Sequence, residues 1–105
     1  MLRGDVDAIV LPRGRGRVQH GRRYAVIVQA DALLSLSTVV VCRTSQSTPP
    51  ASFHPEIRIG DGTTRVMGEM VRAVDARSLG EQFGHLVFEE LRRVDDALEL
   101  VRDLG

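Results

Sequence analysis

The sequence predicts a mainly β, α+β fold, an antiparallel barrel or strongly curved sheet with one helix laid against it. Three observations carry this expectation. Several apolar runs have the length of strands and are joined by short polar turns. Only Phe88 to Leu104 holds a helical period long enough for a helix of normal size. The crossover helices that parallel strands need are too few between the strand runs.

Residues 5–11 (Asp-Val-Asp-Ala-Ile-Val-Leu) mix alternation with a β-branched run and predict the first strand, closed by Pro12. From Pro12 to Gly21 the chain sets Gly14, Gly16 and Gly21 among Arg13, Arg15, Arg17 and His20, a basic composition that cannot build core. Tyr24 to Gln29 and Ser37 to Arg43 are continuous apolar runs of strand length and predict central strands, with one helical turn between them over Ala30 to Leu36. Thr44 to Ala51 reads as a surface Ser/Thr/Pro loop.

Phe53 to Ile59 contains an alternating strand pattern, and Asp61-Gly62 gives a hairpin signal before a strand over Thr63 to Met67. A further strand over Gly68 to Val74, a short helical turn over Asp75 to Leu79 and a last strand over Gln82 to Leu86 follow. In the final helix Phe88, Leu91, Val94, Ala97, Leu98, Val101 and Leu104 recur at three and four, a face that packs on the sheet.

A chain of 105 residues suffices for one domain, 1–105, and not for two independent cores. With only Tyr24, Phe53, Phe83 and Phe88 aromatic, Val, Leu, Ile and Ala must fill a modest core, so burial of further surface in a homodimer is expected. No apolar run approaches the ~20 residues that span a bilayer, and the N-terminus has no secretory pattern, which predicts a cytoplasmic protein. Cys42 is alone and the three histidines have no zinc spacing, so neither a disulfide, a metal nor a cofactor is expected. Zero net charge hides an asymmetry: residues 1–43 carry seven Arg against three acids, and residues 81–105 three Arg against seven acids.

The strongest chemical feature is the Gly-rich basic loop running into Arg22-Arg23 at the start of a buried strand. Its guanidinium forks suit successive phosphates; a solvated loop fits the same composition. It is no Walker A motif, because Gly-Lys-Ser/Thr is absent and the loop opens onto a strand, which disfavours nucleoside triphosphates. Thr44 to Thr48 places hydroxyls at a strand end, within reach of a phosphate. Glu69 and Arg72, three apart on a strand, face opposite sides of the sheet and each needs its own partner. His85 reads as structural, whereas His20 is the histidine nearer a substrate.

With these features in place the chain resembles the MazF/PemK toxins of type II toxin–antitoxin systems from about Leu2 to Leu104. The matching pieces are Arg3-Gly4-Asp5-Val6, Gly21-Arg22-Arg23-Tyr24-Ala25-Val26-Ile27-Val28, Thr44-Ser45, Glu69-Met70-Val71-Arg72-Ala73-Val74-Asp75, Gly84-His85-Leu86 and Val94-Asp95-Asp96-Ala97-Leu98. The resemblance implies an SH3-like small barrel of the CcdB/PemK type, a homodimer, a cognate antitoxin as protein partner, and cleavage of single-stranded RNA by 2′-OH attack without a metal.

Carried over by position, the family's catalytic Arg falls on Arg23 and its catalytic Thr on Thr44, with Ser45 beside it. Arg13, Arg15, Arg17, His20 and Arg22 would then hold RNA, and Glu69 and Arg72 would support the site. The proton acceptor stays open between His20 and Glu69. Four positions depart from the family pattern: Tyr24 replaces a Pro, Met70 a Gln, Asp7 an aromatic, and Val87 a helix-capping Ser. Two other readings share the barrel: a CcdB-like toxin that acts by protein contact, and a degenerate relative that only binds antitoxin.

Overall fold

The computed structural model describes residues 2–9, 23–30 and 37–104. Six strands, β1 (Asp5–Ile9), β2 (Tyr24–Ile27), β3 (Thr38–Ser45), β4 (Glu56–Ile59), β5 (Gly62–Asp75) and β6 (Leu79–His85), precede one helix, α1 (Phe88–Leu104). They form one antiparallel sheet in the order β4-β5-β3-β2-β1-β6, curled into a near-closed barrel with the helix against it.

Both faces of the central strands are covered, which explains why their sequences run apolar without alternation. One face gathers Val6, Val26, Cys42, Ile57, Val66 and Leu86 around Val94 of α1. The other gathers Ile9, Ala25, Ile27, Val39, Val41 and Val74. In β2, Ala25 and Ile27 serve one cluster and Val26 the other, the two-residue period of a strand buried on both sides.

The helix is fastened at its first turn by a buried acid. Glu90 Oε1 accepts the Val87 N–H at 3.1 Å and Oε2 accepts the Arg58 N–H of β4 at 2.9 Å. One carboxylate thus supplies half of a capping box and a tie to the sheet edge, which compensates for the non-capping Val87. An ion pair between Arg3 and Asp95 joins the same helix to the start of β1.

Strand β5 is one strand where the sequence suggests two, and it bends where the two expected strands meet. Cys42 pairs with Val71 but Thr44 with Val66, so the stretch around Gly68 leaves the β3 ladder. On its other side β5 carries the β4 register on into the chain before β4: Val66 N–H donates to Pro55 O and Gly68 N–H to Phe53 O, both at 2.9 Å. A Cβ on Gly68 would sit 2.9 Å from the Phe53 carbonyl oxygen and 3.5 Å from Ala97 of the helix. The missing side chain is therefore what lets loop, strand and helix meet.

Other boundaries shift for identifiable reasons. The hairpin turn is Gly60-Asp61, not Asp61-Gly62, because Ile59 already pairs with Gly62. Gly60 takes φ +58°, as the first position of a two-residue hairpin favours. Strand β3 runs on to Ser45 through pairing of Thr44 and Ser45 with Val66 and Arg65. Strand β6 begins at Leu79, which pairs with Ile9. The expected end of the first strand at Val10-Leu11, and the helical turn over Ala30 to Leu36 beyond its first residue, lie outside the described residues.

Gly68→Ala should destabilise the fold by about 1–3 kcal/mol, since the added methyl meets backbone that cannot rotate away. Urea unfolding measures it; an unchanged midpoint would show that the close approach relaxes without cost.

Candidate active site

A cleft of about 790 Å³ is lined by residues from both edges of the sheet, the β4–β5 hairpin and β6. Its floor is Arg23 and Tyr24 at the start of β2 with Thr44 and Ser45 at the end of β3. Gln46 and Ser47 extend it, the β4–β5 hairpin from Ile59 to Thr64 forms one wall, and Phe83 of β6 stands in the lining. Arg23 is held by its own carbonyl, which accepts the Ile9 N–H at 2.9 Å. No ion pair joins its guanidinium to another described residue.

Thr44 is buried, and its hydroxyl donates to the Tyr24 carbonyl at 3.0 Å. This bond locks the last rung of β3 to the first of β2 beside Arg23. Ser45 is differently placed: its oxygen accepts the Ser47 N–H at 3.2 Å and lies 3.0 Å from the Ser47 hydroxyl. The Ser45 proton can therefore pass to a ligand without breaking a backbone contact.

Sequence reasoning brought Arg23, Thr44 and Ser45 forward separately, and the fold brings them to one cleft. Glu69 and Arg72 are not among the residues lining it. Arg72 pairs with Val41 along β5. Arg13, Arg15, Arg17, His20 and Arg22 lie outside the described residues.

Glu69 instead meets a residue the sequence reading passed over. His54 is buried, its Nε2 donating to Glu69 Oε2 at 2.6 Å and its Nδ1 to Pro49 O at 2.9 Å. Both ring nitrogens face acceptors, an arrangement only the protonated imidazole satisfies in full. Burial of the ring pulls its pKa down. The hydrogen bonds to Glu69 and Pro49, with the Glu69 charge, outweigh burial and the opposing Arg65, and the pKa ends above its ordinary value. The Arg65 guanidinium also donates to His54 O at 2.8 Å, so the segment running from the cleft into β4 is pinned to β5 at several points. Nothing in the spacing of His54 and Glu69, on either side of a hairpin, announces the pair.

Across the barrel, His85 Nδ1 donates to buried Asp5 at 2.7 Å, in line with its structural reading. Asp7, which stands where the family pattern has an aromatic, is buried with one carboxylate oxygen unpartnered among the described residues. Burial, reinforced by the charge of Asp5, raises its pKa. Burial and then the charge of Glu69 push the Cys42 thiol up to about 12, so it is no nucleophile. Among the described residues no group of His, Cys, Asp and Glu is arranged to hold a metal ion, and no helix is long and apolar enough to cross a membrane.

Residues 2–101 match the family model of the PemK-like, MazF-like toxin of type II toxin-antitoxin systems. The Mycobacterium tuberculosis protein Rv3098A/RVBD_3098A is 32% identical over 85 residues, 80% of this chain and 79% of that one. Among solved structures, a MazE–MazF complex from Deinococcus radiodurans superposes with a TM-score of 0.79 at 19% identity, covering 100% of this chain and 97% of that one. An endoribonuclease in complex with its cognate antitoxin from a mycobacterial species gives 0.77 at 18% identity, with coverage of 100% and 97%. Toxin MazF-mt6 of Mycobacterium tuberculosis gives 0.78 at 14% identity, with coverage of 96% and 98%.

The His54–Glu69 contact carries a pH signature. Because the folded pKa of His54 lies above its ordinary 6.5, the fold holds this proton more tightly than the unfolded chain does. The stability gained is full below pH ~6.5 and fades as pH rises through the folded value. The stability gap between the protein and Glu69→Gln in urea should narrow from about pH 6 to about pH 9. A gap that stays constant would mean that His54 is neutral in the fold.

Proposed function

We propose, from the premise that the chain belongs to the PemK-like, MazF-like family of type II toxin–antitoxin toxins, that it is an endoribonuclease cutting single-stranded RNA without a metal. The observation that carries this reading is the convergence of Arg23, Thr44 and Ser45 on one cleft, with no described counter-ion on Arg23. A cytoplasmic protein with a homodimeric assembly and a cognate antitoxin as partner completes the proposal. Exposed Met70 and Val71 on β5 supply apolar surface for a second copy. Sedimentation at twice the chain mass tests the dimer.

In the proposed reaction the RNA 2′-oxygen attacks the adjacent phosphorus, the P–O5′ bond breaks, and a 2′,3′-cyclic phosphate and a 5′-hydroxyl result. Negative charge accumulates on the phosphoryl oxygens. Arg23 meets it with a guanidinium that stays protonated near neutral pH, which also disqualifies it as the base. Thr44 spends its proton on the Tyr24 carbonyl, so its first task is to hold the floor of the cleft. Donation to a phosphoryl oxygen requires it to leave that carbonyl. Ser45 meets no such obstacle and is the readier hydroxyl donor. Glu69, tied to His54 and away from the cleft lining, is poorly placed to take the 2′-OH proton. That leaves His20 as the acceptor of the two considered.

Arg13, Arg15, Arg17 and Arg22 would extend the site along the RNA backbone, and their positive charges would suit the acidic tail of an antitoxin.

Incubation of the purified chain with long single-stranded RNA in EDTA, beside an Arg23→Ala control, tests the reading. Discrete new ends are expected, with the rate falling a hundredfold or more, on the order of ~3 kcal/mol, in the control. Intact RNA with folded protein would move the assignment to a CcdB-like binding toxin or a degenerate relative.

A further inference from the structure

The feature of the cleft that phosphate chemistry leaves unexplained is aromatic. Tyr24 and Phe83 both line it, their ring centroids 4.7 Å apart and their planes inclined at 59°. Such a tilted pair fixes the orientation of both rings. Phe83 nevertheless remains 41% exposed in a chain with only four aromatic residues.

Its position is the product of a defect in the ladder. Val6 pairs with Gly84 and Asp7 with Gln82, so one step along β1 answers two along β6 and Phe83 is the extra residue. A bulge of this kind re-aims a side chain and is common beside active sites. Strand β1 lies between β2 and β6, and its Ala8 pairs with Tyr24, so the two rings meet across a strand whose residue at that point is small. The platform is rigidly coupled to the phosphate end of the cleft: Tyr24 follows Arg23 in the chain, and its carbonyl holds the Thr44 hydroxyl.

We propose that Phe83, braced by Tyr24, is a nucleobase-stacking platform that seats one base of the RNA next to the phosphate held by Arg23. The proposal rests on the RNA reading above and adds to it the residue that grips a base. A nucleotide offers an anion and a flat π-surface joined by one sugar, and this cleft offers the Arg23 cation and, through the neighbouring Tyr24, the exposed ring of Phe83. Stacking accepts any base, so the platform contributes grip and register, and base identity is read elsewhere.

The test is a cycle between protein and ligand. Short single-stranded oligonucleotides spanning the cut site carry a 2′-deoxy sugar at that site, which removes the nucleophile, and an abasic sugar at each position in turn. Affinity is read by fluorescence anisotropy. In the wild-type protein, loss of one base beside the cut should weaken binding about tenfold, within the usual range for a stacked base. Phe83→Ala should lose about the same on the intact oligonucleotide and nothing more when that base is missing. Phe83→Trp should restore the dependence, and an unchanged thermal midpoint of each variant shows that the fold is intact.

Phe83→Ala that keeps the full abasic penalty, or binds intact oligonucleotide as tightly as wild type, overturns the platform. Cleavage of the all-ribose oligonucleotide by the wild-type protein reads the RNA assignment separately. Cutting that persists with no coupling at Phe83 removes only the platform, whereas a protein that neither cuts nor binds removes both. In that last case the exposed ring passes to a protein partner.

Discussion

The close approach at Gly68 is the constraint on which the rest of the arrangement depends. A 14-residue strand cannot serve both β3 and β4 on a strongly curved sheet without a bend, and its amides on the β4 side need acceptors beyond the end of β4. They find the carbonyls of Phe53 and Pro55, and the helix closes over the same point through Ala97. Any side chain at this position would push backbone from backbone. The segment that leaves the cleft and enters β4 is held against β5 here, and His54, Glu69 and Arg65 tighten the same seam with charge.

The cleft is therefore built by contacts that lie mostly outside it. Its floor needs β2 and β3 in register at their ends, which the Thr44 hydroxyl secures on the Tyr24 carbonyl. One wall needs the tight Gly60-Asp61 turn, and Phe83 is brought to the lining by the irregular pairing of β6 with β1. Only Arg23 and the hydroxyl groups have chemistry suited to a phosphate. Residues that touch the proposed substrate are thus distinct from residues that hold them in place, and Thr44 belongs first to the second group.

Much of the fold was legible because local patterns and burial agree. Tyr24 to Gln29 and Ser37 to Arg43 read as central strands since both sheet faces are covered along β2 and β3, and Phe88 to Leu104 read as a helix since Val94 and Ala97 turn to the core. The Asp-Gly signal pointed to the right hairpin and the wrong pair of turn residues, because strand pairing and not the dipeptide decides where the ladder stops. The continuity of β5 was hidden, since Gly68 looks like a break in sequence and acts as a bend in space. Composition brought Arg23 and Thr44 forward as separate phosphate-binding candidates, and only likeness to a family joined them into one site. The His54–Glu69 pair and the Phe83 bulge were legible by no route, as each depends on a register that no short stretch of sequence encodes.

The central claim, that this cleft directs an internal 2′-oxygen at a phosphate stabilised by Arg23, is tested most directly by the chemistry of the product ends. Mass spectrometry of an RNA oligonucleotide cut by the purified protein in the presence of chelator reads them. The account expects a 2′,3′-cyclic phosphate on the upstream fragment and a 5′-hydroxyl on the downstream one. A 3′-hydroxyl paired with a 5′-phosphate would mean that water is the nucleophile, and would contradict it.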